Sequence, residues 1–448
     1  MFQTFKNAWK VPELKNKILF TIMIILLYRI GAAIYVPYVD VAQISTISSW
    51  YDSSSIFAFV SLLSGGAFSQ ATFFALSVSP YITASIVMQL LTIAIPPLER
   101  LSKQGEEGKK KITKYTRWVT IALALVTSYG YVKLLQSYGL VLLDKTTDGF
   151  MYYFGIIVMV SCFCAGAAII MWLAEQINDH GIGNGISMIL FANIISSFGS
   201  MVQELINMWN TAVNTTAKGA WWGYVLGAGE VILSVVLAIA AIGFIVWFTN
   251  SERRIPIQYA KRVVGRKMYG GQSSNLPLKM NMAGVMPVIF ASSIVAILPT
   301  VAGFFPNTGF SKWVTEWMGP TSPVYIVAFI ALIFAFSYFY ITISFNPIEV
   351  ANNIRNQGGS IPGYRPGKPT SDYIKKILNR ITLIGAIFLV IISGVPMIVT
   401  AITTACGVSF SSLAFTGTSL LIVVGVALEV VRDMEAQLAM RNYKGFLD

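Results

Sequence analysis

Charge is scarce in this sequence, and histidine is almost missing from it. Aspartate, glutamate, lysine and arginine together make up 12% of the 448 residues, about half the share carried by soluble domains. The one histidine, His180, stands in a polar turn, which leaves Ser/His or Cys/His nucleophilic chemistry with almost no base to draw on. The cysteines are Cys162, Cys164 and Cys406, and the first two lie in an apolar run with no His, Asp or Glu at ligand spacing. Neither a disulfide framework nor a metal site is expected from them, and no cofactor is implied. HExxH does not occur and no aspartate pair lies inside an apolar run, so the usual intramembrane protease constellations are excluded. A GxxxxGKS or GxxxxGKT phosphate loop is lacking too, and with it that route to nucleotide hydrolysis.

What the chain has instead is apolar sequence. Residues of apolar type make up 55% of it, mean hydropathy is positive, and the fold class this predicts is an all-α polytopic membrane protein. About 20 mainly apolar residues cross roughly 30 Å of hydrocarbon as a helix. Ten such runs are found, near 17–36, 76–95, 115–136, 152–174, 185–206, 224–248, 282–302, 323–343, 374–396 and 412–431. The first is long and has no small-residue cleavage motif, so a retained span is expected rather than a removable signal.

Most of the 32 lysines and arginines fall on one side of this arrangement. Lys6, Lys10, Lys15 and Lys17 precede the first span. Arg100 to Arg117, Arg253 to Lys279 and Arg355 to Arg380 follow the second, sixth and eighth, and Arg432, Arg441 and Lys444 close the chain. The positive-inside bias then puts both termini in the cytoplasm, as ten spans require. The spans divide into two sets of five, 1–218 and 219–448, that begin on opposite sides of the membrane. That is the pattern of an inverted repeat with its working site between the halves. Arg29 sits about 18 Å along the first span, where snorkelling or a structural ion pair is the expected use of its charge.

The stretch from Trp50 to Ser77 falls on the outer side and is too broken to be a span. Leu62, Leu63, Ala67, Phe68, Ala71, Phe73 and Phe74 suit a short helix that Gly65 and Gly66 weaken. Two readings are open: a re-entrant element buried in protein or lining a cavity, or an amphipathic helix lying on the outer leaflet.

A series of words then carries a resemblance along nearly the whole chain. SGGAFS (64–69) is followed by PYITASIVMQLL (80–91), EGKKKITKYTR (107–117), GIGNGIS (181–187) and RRIPIQYAKR (253–262). LPLKMNMAGVMP (276–287), NPIEVANNIRNQGGSIPGYRPG (346–367), TSLLIVVGVALEV (418–430) and the YKGFL tail complete it. The sequence resembles the SecY family of bacterial protein-conducting channels.

The resemblance implies ten transmembrane helices in two inverted five-helix halves, with a re-entrant plug helix near 62–75 that includes Leu63, Ser64, Gly65, Gly66, Ala67 and Phe68. It implies passage of unfolded secretory polypeptides across the bacterial plasma membrane and lateral release of transmembrane segments into lipid. The family's pore ring falls on Ile82, Ile86, Ile186, Leu190, Ile289 and Ile422; Leu190 stands where isoleucine is frequent. A lateral gate is implied between the second and seventh spans, and Gln89, Ser292 and Ser293 are the polar residues at that seam. Read without the family, the ring positions are ordinary packing or lipid-facing residues, and the gate residues are interhelical glue.

In RRIPIQYAKR, the alternation of Ile255, Ile257 and Tyr259 predicts a short hairpin, and the Gly- and Pro-rich 356–369 stretch predicts a projecting loop. The resemblance makes Arg253, Arg254 and Arg365 contacts for the SecA ATPase and for ribosomal RNA phosphates. Positive-inside bias with attraction to anionic lipid is the other use of such charge. SecE, SecG, the ribosome, signal sequences, nascent polypeptides and membrane lipid complete the implied partners, and energy for transport would come from a partner. A secondary solute transporter is the rival that inverted halves also fit, but Glu230 and Glu429 lie near span ends rather than at midplane.

Overall fold

The computed structural model describes residues 2–40, 43, 61, 64–143, 149–199, 202–203, 205–206, 209–210, 221–259, 262–264, 267–269, 273–303, 308–319, 322–405 and 413–444. Each expected run coincides with a helix. In chain order the helices are α1 (Phe2–Lys10), α2 (Pro12–Ala32), α3 (Ser79–Ala94), α4 (Pro96–Ser102), α5 (Glu106–Ser137), α6 (Phe150–His180) and α7 (Gly185–Ser196). They continue with α8 (Trp221–Asn250), α9 (Met286–Gly303), α10 (Gly309–Trp317), α11 (Pro323–Ser344), α12 (Pro347–Asn356), α13 (Lys368–Ala405) and α14 (Leu413–Lys444). Among the described residues, five helices are long and apolar enough to cross a membrane alone, and α3 with α4, bent by 105°, adds a sixth if taken as one span.

Starts and stops follow local chemistry. Pro12, Pro80 and Pro323 occupy the first turns of α2, α3 and α11, where a missing N–H costs nothing. Asn184, Ser322 and Asn346 cap α7, α11 and α12 by accepting hydrogen bonds from first-turn backbone N–H groups, each a gain of about 1 kcal/mol. Several helices overrun the apolar stretch that announces them. The 32 residues of α5 span about 48 Å at 1.5 Å per residue, so Lys109, Lys110, Lys111 and Lys114 ride on a helical stem and not on a loop.

Strands occur on the basic side. β1 (Glu252–Tyr259) pairs antiparallel with β4 (Ser273–Lys279), Ile255 opposite Leu276, and takes β5 (Gly359–Ser360) on its other edge through Gln258 and Tyr259. Between them, β2 (Arg262–Val264) and β3 (Lys267–Tyr269) form a second antiparallel pair. Ile255 and Ile257 are buried with Leu278, Ile341, Ile354, Ile361, Ile374, Leu378 and Ile381. The expected hairpin therefore exists, and its alternating face closes a small core that joins the two long basic-side loops.

The main core runs through the bundle and draws on α2, α3, α6, α7, α8, α9, α11, α13 and α14. Early and late helices meet at α3 and α5 against α9, and at α1 and α7 against α14. The proposed division at 218/219 falls outside the described residues.

Candidate functional site

The six ring positions come from four of these helices: Ile82 and Ile86 on α3, Ile186 and Leu190 on α7, Ile289 on α9 and Ile422 on α14. Ile82, Ile86, Leu190, Ile289 and Ile422 are all 5% exposed or less, and Ile186, half-buried, packs on the same cluster. The i, i+4 spacing aims each pair along one helix face, and the Asn184 cap fixes where α7 begins.

A cavity of about 570 Å³ opens beside this cluster. Leu421, Gly425, Glu429 and Arg432 line it from α14, Val285 and Met286 from the start of α9, and Lys279, Asn281 and Asp433 bring polar groups to its rim. Spacings of four, four and three residues put the α14 members on one face, which passes from apolar to charged over about 16 Å of helix. The rim is tied together. Arg432 donates to the Thr249 carbonyl at 2.7 Å and to Asn250 Oδ1 at 3.0 Å, and the Gly183 N–H donates to Asp433 Oδ2 at 3.1 Å. Burial, and then the nearby Arg432 cation, lower the pKa of the Lys279 ammonium, with Glu252 and Glu429 opposing.

Residues 64–77 also approach the cluster. Ala67 and Phe74 join it directly. The segment is a run of turns and not a continuous helix. Gly65, Gly66, Ala71 and Ser77 have φ of 63°, 87°, 46° and 50°, and each left-handed residue interrupts the helical ladder. Leu62 and Leu63 lie outside the described residues. Phe74 stacks on Tyr28 with centroids 5.3 Å apart, Phe68 packs on Tyr131, and the Tyr131 hydroxyl donates to the Phe68 carbonyl. Asn193 donates to Ser77 Oγ at 3.2 Å. The Phe73 carbonyl rests on Gly166, where any side chain would collide with it. Buried between helices, 64–77 is the re-entrant element; the outer-leaflet reading does not hold for it.

Arg29 also departs from expectation. Its guanidinium neither snorkels nor pairs with a carboxylate among the described residues; it turns inward and donates to the Ala192 carbonyl on α7 at 3.2 Å.

At the α3/α9 seam the helices touch, but the polar residues do not hold them together. Ser292 and Ser293 both donate to the Ile289 carbonyl of their own helix, at 2.9 and 2.8 Å, and half-buried Gln89 is hydrogen-bonded to neither serine. Back-bonding of this kind satisfies a hydroxyl inside apolar surroundings without a partner helix. Apolar contact closes the seam.

On the basic face, Arg253 and Arg365 are exposed, while Arg254, also exposed, pairs with Glu252 at 2.6 Å. The Arg365 carbonyl accepts from Thr370 Oγ1 at 2.8 Å, so the start of α13 anchors its loop. No group of three or more His, Cys, Asp or Glu that could hold a metal is found among the described residues.

Comparison with known proteins places this geometry. The family model described as SecY matches residues 72–431, and a curated relative from Streptomyces galbus, named protein translocase subunit SecY, is 42% identical over 455 residues, covering 100% of both chains. The chain belongs to the SecY family.

Solved structures agree on the fold of this SecY-family chain. One is of a SecY protein whose plug domain stabilises the closed state of the translocation channel and maintains a membrane seal. It aligns with a TM-score of 0.60 at 18% identity, covering 96% of each chain. The channel of a canine ribosome-channel complex from the endoplasmic reticulum aligns with a TM-score of 0.55 at 16% identity, covering 95% of this chain and 96% of that one.

Asn193, Ser77 and Asp433 of this SecY-family chain do not stand out in its sequence, and Arg29, visible there as a lone cation in a span, does not name its partner.

Proposed function

We propose that the chain is a protein-conducting channel, passing unfolded secretory polypeptides across the plasma membrane and releasing transmembrane segments sideways into lipid. One observation carries this reading: six apolar side chains, drawn from helices 340 residues apart in sequence (Ile82 to Ile422), share one buried cluster with a charged-rimmed cavity beside it. Branched side chains at a constriction exclude hydrated ions by dewetting, yet they part around a polypeptide because only dispersion contacts are lost. No bond need be made or broken in such a passage.

In this reading Ile82, Ile86, Ile186, Leu190, Ile289 and Ile422 form the closed ring, and 64–77 is the plug above it. The α3/α9 seam is the lateral gate. Apolar closure suits that role, since a signal helix entering the seam replaces apolar contacts by similar ones. The charged rim faces the cytoplasm, as do both termini, because the basic loops gather there. SecE and SecG are the small subunits. Arg253 and Arg365 on the exposed β1 and 357–367 loops meet the SecA ATPase and ribosomal RNA phosphates.

Purified chain with its small subunits, reconstituted in vesicles with the ATPase, tests the reading. Protease-protected secretory polypeptide inside the vesicles is the expected result. Uptake of small solutes with no polypeptide passage would favour a transporter and overturn it.

A further inference from the structure

Arg29 is a half-buried cation in a span, and such a residue needs a reason to be there. Its guanidinium offers five donors in a rigid plane, and one of them reaches Ala192 O at 3.2 Å. The rest of the plane covers Gly65. A Cβ placed on Gly65 would lie 2.9 Å from Arg29 Nη2, 3.0 Å from Nη1 and 3.1 Å from the Asn193 α-carbon. Gly65 also has φ of 63°, a left-handed conformation that glycine adopts without strain. Backbone geometry and lack of a side chain are thus both required at the point where 64–77 meets the cation.

The surroundings repeat the pattern. Tyr28, next to Arg29, is buried beside Ser77 and Asn193 and stacks on Phe74. The Phe73 N–H donates to the Ile34 carbonyl at 2.8 Å just beyond the same helix.

We propose that Arg29 is the latch that seats segment 64–77: held by the Ala192 carbonyl, its guanidinium forms the socket into which the Gly65 turn fits. The inference rests on the reading of 64–77 as the plug and adds a positioning residue to it. Opening withdraws Gly65 from the guanidinium, so Arg29 weights the closed state over the open one. Arg29→Ala removes the socket. Gly65→Ala drives a methyl into it. Arg29→Lys keeps the charge but loses the planar fork.

The test is idle ion conductance of the full-length channel with its small subunits in planar bilayers, alongside export of a precursor with a defective signal sequence. Arg29→Ala takes away the surface the Gly65 turn packs on, and Gly65→Ala puts a methyl against the guanidinium on a left-handed residue. Each is expected to raise the open fraction about tenfold, with Arg29→Lys in between. In the Arg29→Ala background the Gly65 methyl meets vacated space, so the double variant is expected to leak less than the product of the two single effects. Deleting 61–70 tests the plug itself. If that deletion leaves idle conductance unchanged, the plug reading fails. If the deletion leaks while Arg29→Ala, Arg29→Lys and Gly65→Ala all behave as wild type, the latch is overturned and the plug stands. Should Arg29→Ala fail to insert, Gly65→Ala and Arg29→Lys decide the question alone, and strictly multiplicative single effects would also count against the latch.

Discussion

Replacing Ile86 with Asn perturbs the proposed closed ring at one of its most buried points. Ile86 is 2% exposed, so in the closed state the substitution forfeits about 1.5–3 kcal/mol of apolar burial and adds about 1–3 kcal/mol for an amide held without partners. In the open state the same side chain faces water or the passing polypeptide, and most of that cost disappears. Taking about 3 kcal/mol as the difference, the closed-to-open ratio falls roughly 100-fold. Ile93, on the same helix but 53% exposed, is the control, because an exposed side chain forfeits little burial on substitution. Conductance of the idle channel in planar bilayers reads the ratio directly, and export of precursors with defective signal sequences reads its consequence. Unchanged conductance and unchanged signal stringency in Ile86→Asn, or an equal effect from Ile93→Asn, would refute the ring.

Charge reversal by Arg365→Glu is expected to impair ATPase-driven export while insertion of membrane proteins continues; normal export rates would remove the contact assignment. Arg117 and Glu175 form an ion pair between α5 and α6 at 2.8 Å, with side chains 51% and 11% exposed. Arg117→Gln leaves the carboxylate buried alone and is expected to lower the unfolding temperature, and adding Glu175→Gln should recover part of the loss. Lys279 gives a pH dependence. Its folded pKa lies below the ordinary 10.5, chiefly through burial, so between the two values the unfolded chain holds more protons than the folded one. Stability therefore rises with pH across that window, and the penalty is full below the folded pKa. Thermal unfolding followed from neutral to alkaline pH checks it, with Lys279→Met expected to flatten that rise.

The ten helices were legible because lipid imposes a simple condition, a run of apolar residues of membrane length, and that condition is written in composition. Helix ends were not. The Lys109–Lys114 stretch has four lysines to one apolar residue, Ile112, so an apolar scan stops short of it although the α5 ladder continues. The break at Gly65 and Gly66 could be read from residue type, but Ala71 and Ser77 also take left-handed φ, and neither residue type advertises that. Arg29 was visible as an oddity. Its partner, Ala192, lies 163 residues away, beyond any local pattern. At the seam, Ser292 and Ser293 are the polar residues the sequence offers for contact between helices, yet each hydroxyl bonds to its own helix, a rotamer choice that sequence does not encode. The i, i+4 pairs Ile82/Ile86 and Ile186/Leu190 mark a helix face without saying what it faces; the resemblance supplied that, and the shared cluster is consistent with it.

The central claim, that a polypeptide passes between these particular side chains, is tested most directly by crosslinking. A secretory chain stalled partway is presented to channels carrying a single cysteine at position 86 or at position 289, with the exposed position 93 as the comparison. Adducts at both 86 and 289, and none at 93, are the predicted result. Adducts confined to 93, or to neither ring position while the chain is stalled across the membrane, would contradict the account.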